Sequence, residues 1–558
     1  MDTLPTELRS ALRWLSLGDP QRCIHELTQL VSREADDPAL HNALASVLAG
    51  QGAYDRAREH FERTLALAPN HLEALTNLGT LSLELGALHR AHELLTRAIA
   101  LPNAPAQAWV GLGRVYCLLG RHADAHEALA RATDAPRSSP TTWSQRCYAT
   151  LLDPALKPAD VVASHRTSAA QIAPAMVPAR FENACFPGRK LRLGYVSADL
   201  REHSVACFIE GVLAHHDRDQ VELYLYSDVR REDAVSGRLY ASADVVRRSA
   251  SWTHAQLSEH CRADHIDVLI DLSGHMQPNR LPMFGLAPAP VSFTYLGYPG
   301  TTGSTAFAAR LSDAWADPIP ASGTAGSEPL VHLAGGYFAF TPPPDAPDVG
   351  PVPKQGPVFC SFNDALKLND HVINAWAGLL TRCSDARLCL KARQLGSRDL
   401  AQVILARFAT RGIDAARIEL LPSTPTRREH LACYAHAHVA LDTFPYAGAT
   451  TSCEALYMGV PVITLAGETH ASRLGVSILN GLGQSRWITH SVEGYIERAL
   501  DVARDRVQLE QWRHEARDTL CRAPLGDSRR VARAIEQHAS EHFQRWLADR
   551  SLSSTVRR

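Results

Sequence analysis

Glycines 18, 52, 86 and 120 stand 34 residues apart, and a period of that length means a stack of like supersecondary units rather than one closed core. Other columns keep the same register. Cys23, Ala57, Ala91 and Ala125 form a small column, and Leu27, Phe61, Leu95 and Leu129 form a large apolar one. A third column, Leu44, Leu78 and Leu112, is followed each time by a small residue, Ala45, Gly79 or Gly113. Small residues let two helices approach, large ones fill the gap between them, and a glycine ends the first helix of each pair in the left-handed conformation. The unit is therefore a helix, a turn and a second helix.

This pattern resembles the tetratricopeptide repeat, in four copies over about residues 4–139 with a capping helix expected around Trp143. A first domain is expected over residues 1–153. Such arrays stack into a superhelix whose concave face holds an extended peptide, so a protein acceptor in that groove is one expectation. The other is a solenoid that braces its neighbour or makes a homodimer.

The remainder of a 558-residue chain is long enough for two or three more domains. After a Pro- and Ala-rich stretch, read as a linker over residues 154–188, short β-rich runs alternate with helical lengths. That alternation predicts parallel sheets. Candidate strands of the first half are Leu191–Ser197, Val221–Ser227, Asp267–Leu272 and Val291–Leu296. Residues 341–356, TPPPDAPDVGPVPKQG, are expected to form a second linker, because six prolines and two glycines forbid regular structure. The second half restarts with Val358–Phe362, Arg387–Lys391, Arg417–Leu421, Val439–Asp442 and Pro461–Leu465. The expected class is an α-helical solenoid followed by two Rossmann-like α/β domains, over 189–340 and 357–558. Ligands of such folds bind in the crevice beyond the carboxyl ends of the strands.

Charge narrows the partners. Lys+Arg 57 against Asp+Glu 59 gives a net charge of -2, so no global field favours nucleic acid or an anionic membrane. No stretch approaches a membrane-spanning run of apolar residues, and the twelve cysteines never form a CxxC pair. A cytoplasmic, reducing location is the expectation. The DxD spacing in His215-His216-Asp217-Arg218-Asp219 lies before a strand rather than after one, so it is read as a polar turn and no metal is expected.

The richest strand-to-helix loop is Thr443–Glu454, TFPYAGATTSCE. Thr451-x-x-Glu454 reads as a capping box. The same small residues ahead of a helix also expose amides to an anion, so a diphosphate could dock on Thr450 and Thr451.

Taken with that loop, residues 191–203, Leu272–His275, 296–303 (LGYPGTTG), 362–367 (FNDALK), Arg428–His430 and 467–473 (GETHASR) follow in order. Together they resemble the O-linked N-acetylglucosamine transferases. The resemblance covers about residues 190–475 and implies a GT-B fold and inverting transfer of N-acetylglucosamine from UDP-GlcNAc to Ser or Thr hydroxyls. It implies no metal and no cofactor. On the matching positions it assigns the phosphate-binding lysine to Lys367 and a histidine near acceptor and sugar to His203. Uridine falls against residues 422–430 with His430 and Arg427, ribose against Glu454, and the nucleotide sugar against Gly448, Thr450, Thr451 and Asp364. His275, Pro299, Gly300 and Thr301 fall on the sugar and acceptor side. The sequence departs from the family pattern at Asp364, where glutamine is frequent, and at Ala449, where histidine is. Transfer of glucose from UDP-glucose to asparagine, and a non-catalytic repeat scaffold, are the competing readings.

Overall fold

The computed structural model describes residues 6–135, 138–173, 179–184, 189–318 and 326–555, and the chain divides into two compact units. The first holds residues 1–138 together with 393–406. Its helices are α1 (Thr6–Ser16), α2 (Pro20–Arg33), α3 (Pro38–Gly50), α4 (Tyr54–Leu67), α5 (Leu72–Glu84), α6 (Leu88–Ile99), α7 (Ala106–Leu118) and α8 (His122–Asp134). The four periodic glycines have φ of +77°, +79°, +75° and +72°, the left-handed turn for which side chains other than glycine are penalised. The small and large columns meet as their sizes require. A Cβ on Gly79 would come within 2.7 Å of Leu95, and one on Gly113 within 2.9 Å of Leu129. Residues 393–406 join this unit through Arg393, paired with Glu84 at 2.5 Å, and Ser397 Oγ, which donates to the Gly86 carbonyl at 2.7 Å.

The second unit begins earlier than expected. Helices α9 (Pro140–Leu152) and α10 (Pro158–Ile172) belong to it, so the repeat domain does not extend to 153 and residues 158–172 are no linker. Pro158 stands at the start of α10, where its missing N–H costs nothing. Behind it Val161, His165 and Ile172 are buried, and Ile172 and Trp143 pack with Tyr224, Tyr226, Leu257 and Phe284.

Among the described residues two parallel sheets follow. The first contains β1 (Leu191–Ser197), β2 (Val221–Ser227), β3 (Val245–Arg248), β4 (Val268–Asp271), β5 (Val291–Tyr295), β6 (Ala309–Ser312) and β7 (Leu330–His332), in the order β3-β2-β1-β4-β5-β6-β7. The second contains β8 (Val358–Ser361), β9 (Arg387–Lys391), β10 (Ile418–Leu421), β11 (Val439–Leu441), β12 (Val462–Leu465) and β13 (Ile488–Thr489), in the order β10-β9-β8-β11-β12-β13. Both are doubly wound sheets whose strand order reverses beside the first strand. Residues 341–357 hold no helix or strand.

The boundary expected at 357–558 also changes. The last helix, Ser528–Thr555, returns to the first sheet, where His542 packs edge-on against Phe293 and Glu536 Oε1 accepts from His216 Nδ1 at 2.7 Å. Tyr195 donates to the other nitrogen of His216, so the DxD region is bound up in structure at the amino end of β2. No described helix is long and apolar enough to cross a membrane.

Candidate active site

The strand orders select the loops that matter. In each sheet the switch in direction lies beside the first strand, so the crevice is bounded by the loops after β1 and β4 and by those after β8 and β11. Those four loops meet around a cavity of about 270 Å³.

Lys367 ends the short 3₁₀ turn Ala365–Lys367 that follows β8. Asp364 lines the cavity as well, and its carboxylate accepts the Leu366 N–H at 2.9 Å, so it caps the turn that presents the lysine. Lys367 Nζ donates to the Ala447 carbonyl at 2.9 Å and to Asn363 Oδ1 at 3.3 Å, and lies 3.8 Å from the centre of the Tyr446 ring. Burial lowers its pKa to about 8, against the pull of Asp442 and Asp364. The ammonium is thus held by neutral acceptors and a ring face, which leaves its charge available to an anion.

The loop after β11 is shaped by Asp442. This buried carboxylate accepts from the amides of Thr443 (2.9 Å) and Gly448 (2.6 Å) and from Thr464 Oγ1 (2.8 Å). Burial raises its pKa to about 6. A Cβ on Gly448 would approach Thr451 Oγ1 to 2.7 Å and Asn363 Oδ1 to 2.9 Å, so glycine is needed for the close turn. The helix Thr450–Tyr457 then starts at Thr450, with Ala449 as its N-cap and no side chain bonded to the first-turn amides. The capping box expected from Thr451 and Glu454 does not form. Glu454 lies two positions too deep and is committed to Arg427 and His430, while Thr450 and Thr451 line the cavity at a helix start open to an anion.

Glu454 anchors the other end, a space of about 450 Å³ bounded also by Thr424, Thr450 and Thr451. Arg427 and His430 stand three apart on the helix Arg427–Ala432 and therefore on one face. Arg427 Nη2 donates to Glu454 Oε1 at 3.0 Å, and His430 Nε2 lies 3.2 Å from Oε2. Burial alone would raise the Glu454 pKa, yet these partners hold it below the usual range. Lys391, at the end of β9, donates to His430 Nδ1 at 2.8 Å. That bond leaves the hydrogen of the neutral ring on Nε2, aimed at Glu454. Burial lowers the Lys391 pKa. Sequence reasoning missed Lys391 and Asp442. The signal was available, since each is a charged residue where a buried strand ends.

On the opposite wall His203 lies in the loop after β1 and lines the cavity. Its Nδ1 accepts the Val205 N–H at 3.3 Å, so a neutral ring carries its hydrogen on Nε2 and acts there as a donor. Burial lowers its pKa, opposed by Asp199. Pro299 lines the cavity too. The other residues assigned to this side do not. His275 is 1% exposed, with Nε2 on the Thr302 carbonyl at 2.8 Å and Nδ1 on Ser144 Oγ at 3.1 Å. Gly300 packs against Tyr298 and Leu151, and buried Thr301 donates to Glu328 at 2.6 Å. Their places on the wall are taken by Tyr148 of α9 and by Met276, neither of which the motifs pointed to. In the GETHASR segment, His470 binds Asp317 and Tyr337 and Arg473 donates to the Trp315 carbonyl, which makes it a packed structural loop.

Comparison with known proteins gives the same picture. Residues 173–340 and 349–535 match the model of glycosyl transferase family 41, and residues 36–104 and 76–140 match tetratricopeptide repeat models. A tomato (Solanum lycopersicum) protein named probable UDP-N-acetylglucosamine--peptide N-acetylglucosaminyltransferase SPINDLY is 35% identical over 375 residues, 66% of this chain and 40% of its own. The Arabidopsis thaliana protein named SEC, with the same probable activity in its name, is 28% identical over 67% of this chain and 38% of its own. The chain thus spans about 40% of the length of these relatives. A solved structure titled Thermobaculum terrenum O-GlcNAc transferase, a lysine-to-methionine variant, is 33% identical with a TM-score of 0.83, covering 92% of this chain and 99% of that one. With its two doubly wound sheets facing one crevice and the family model matched across both, this chain belongs to glycosyl transferase family 41.

Proposed function

We propose that this chain is an inverting, UDP-sugar-dependent protein glycosyltransferase that moves N-acetylglucosamine from UDP-GlcNAc to Ser or Thr hydroxyls. The observation that carries the reading is the pairing of Lys367 with the uncapped start of the helix Thr450–Tyr457 on one wall, while His203 faces them from the other. A diphosphate on the amides of Thr450 and Thr451 would lie within reach of the Lys367 ammonium, with the nucleoside toward Glu454, Arg427 and His430. The acceptor hydroxyl oxygen attacks the anomeric carbon, the bond from that carbon to the diphosphate breaks with its electron pair leaving on UDP, and the hydroxyl proton passes to a phosphate oxygen of the departing UDP. The new negative charge forms beside an ammonium already in place. His203 Nε2, the donor nitrogen, orients an oxygen of sugar or acceptor rather than taking a proton. The acceptor is proposed to be a protein segment carried in the repeat groove.

Two results test the donor half. UDP should raise the melting temperature, and a concentration near 100 times its Kd corresponds to about 2.7 kcal/mol. Because Lys367 and the helix start supply the positive field, the increment should be the same in excess EDTA, and a shift that needs Mn²⁺ or Mg²⁺ would contradict the reading. In the free enzyme, Lys367 is charged below its pKa of about 8 and neutral above it. The ratio kcat/KM should therefore fall as pH rises through about 8, and a profile flat to pH 10 would count against the lysine.

His203→Ala should lower turnover by about tenfold or more while UDP affinity stays within about threefold, if the ring serves acceptor and sugar as the family resemblance implies. An equal loss of UDP binding would place His203 on the wrong wall.

A further inference from the structure

Lys391 does more than fix the tautomer of His430. It ends β9, and in the order β10-β9-β8-β11 that strand stands beside β8 on the side away from β11. With the diphosphate on the loops after β8 and β11 and the ribose at Glu454, the nucleobase falls toward the part of the wall made by Lys391, residues 423–426 and His430.

Lys391 is 5% exposed, yet it lines that space. Its ammonium has three hydrogens to place. One goes to His430 Nδ1 at 2.8 Å, and a second reaches Thr424 Oγ1 at 3.4 Å, the long end of a hydrogen bond. Both partners are neutral acceptors, and among the described residues Nζ makes no third hydrogen bond. A buried ammonium hydrogen without an acceptor is costly, so the ligand that completes this site brings one.

We propose that Lys391 selects the nucleobase by donating to a carbonyl oxygen on the edge remote from the ribose. The inference rests on the reading of the crevice as a nucleotide-sugar site and narrows it to one class of base. Uracil carries that oxygen at C4, and guanine carries one at C6. Cytosine and adenine carry an amino group at the same places, whose hydrogens would face the ammonium hydrogen and leave both without an acceptor. The carbonyl at C2 of a pyrimidine lies beside the glycosidic bond, at the end that Glu454 holds, and is common to uracil and cytosine. Discrimination therefore comes from an unmade hydrogen bond to a charged group rather than from shape, since uracil and cytosine differ little in size. A lysine that served only to support His430, and through it Glu454, would instead favour every nucleotide alike.

The test is calorimetric titration of the full chain with UDP, CDP, GDP and ADP, for the wild type and for Lys391→Met and Lys391→Arg. The wild type should bind UDP at least about tenfold more tightly than CDP. Lys391→Met, close in length and without charge, should bring the two within about threefold, mainly by weakening UDP. Lys391→Arg, which keeps a cationic donor, should retain part of the preference. Equal binding of UDP and CDP by the wild type would overturn the assignment, and that comparison needs no variant. A Lys391→Met protein that loses affinity for both in the same proportion would also overturn it and leave Lys391 as a support for His430. The purine pair separates this inference from the donor reading. GDP bound more tightly than UDP, with ADP excluded and the preference lost in Lys391→Met, would uphold the role of Lys391 and overturn UDP as the donor nucleotide. Binding of none of the four would overturn both.

Discussion

Lys367→Ala is expected to lower turnover by at least about a hundredfold, or about 2.7 kcal/mol of transition-state stabilisation. The ammonium is half-buried between Ala447 O, Asn363 and the Tyr446 ring, and its hydrogen bonds go to neutral acceptors. Its charge is therefore not spent in the resting protein and acts most strongly when UDP departs with its extra charge. UDP affinity should fall less than turnover, because bound UDP-sugar places less charge there than the leaving group does. Comparing kcat with the UDP Kd for both proteins checks this. Equal losses in the two quantities would make Lys367 a binding residue only.

Glu454→Ala is expected to weaken UDP binding by at least about tenfold and to destabilise the second unit by about 3 kcal/mol. The buried carboxylate holds Arg427 and His430, and His430 in turn receives Lys391. Removing it leaves two cations and a histidine facing one another across the space assigned to the nucleoside. Glu454→Gln preserves shape and one acceptor oxygen, so it should recover part of the melting temperature and less of the affinity. Calorimetric titration with UDP and thermal melts of both variants decide the matter. Unchanged UDP affinity in Glu454→Ala would remove the ribose from this end of the crevice.

The repeats were legible because their information is periodic: Gly79 against Leu95 and Gly113 against Leu129 are contacts that a column comparison finds. The two sheets were legible in their long strands. The strands VVRR at Val245–Arg248, ARLS at Ala309–Ser312, LVH at Leu330–His332 and IT at Ile488–Thr489 are too short to carry an alternating pattern and were missed. Helix α10 was hidden by its own start, since Pro158 in an alanine-rich stretch reads as a breaker although it occupies the one helical position that suits it.

At the site, Lys367, Thr450, Thr451, Arg427, His430, Glu454 and His203 line connected space. His275 did not, because a motif fixes where the backbone of a loop runs but not where its side chain turns. That direction was set by Ser144 and Thr302, 131 and 27 residues away in sequence. Tyr148 was invisible for a similar reason: it reaches the cavity from a helix that the repeat pattern had claimed.

The most direct test of the account is transfer itself. The purified chain is incubated with UDP-GlcNAc radiolabelled in the sugar and with a protein lysate from its source, beside the Lys367→Ala variant and matched reactions with UDP-glucose. The account predicts label in protein from UDP-GlcNAc, released by mild alkaline β-elimination as expected for Ser or Thr linkage, and largely lost in the variant. Label that survives β-elimination, or that enters protein only from UDP-glucose, would contradict it.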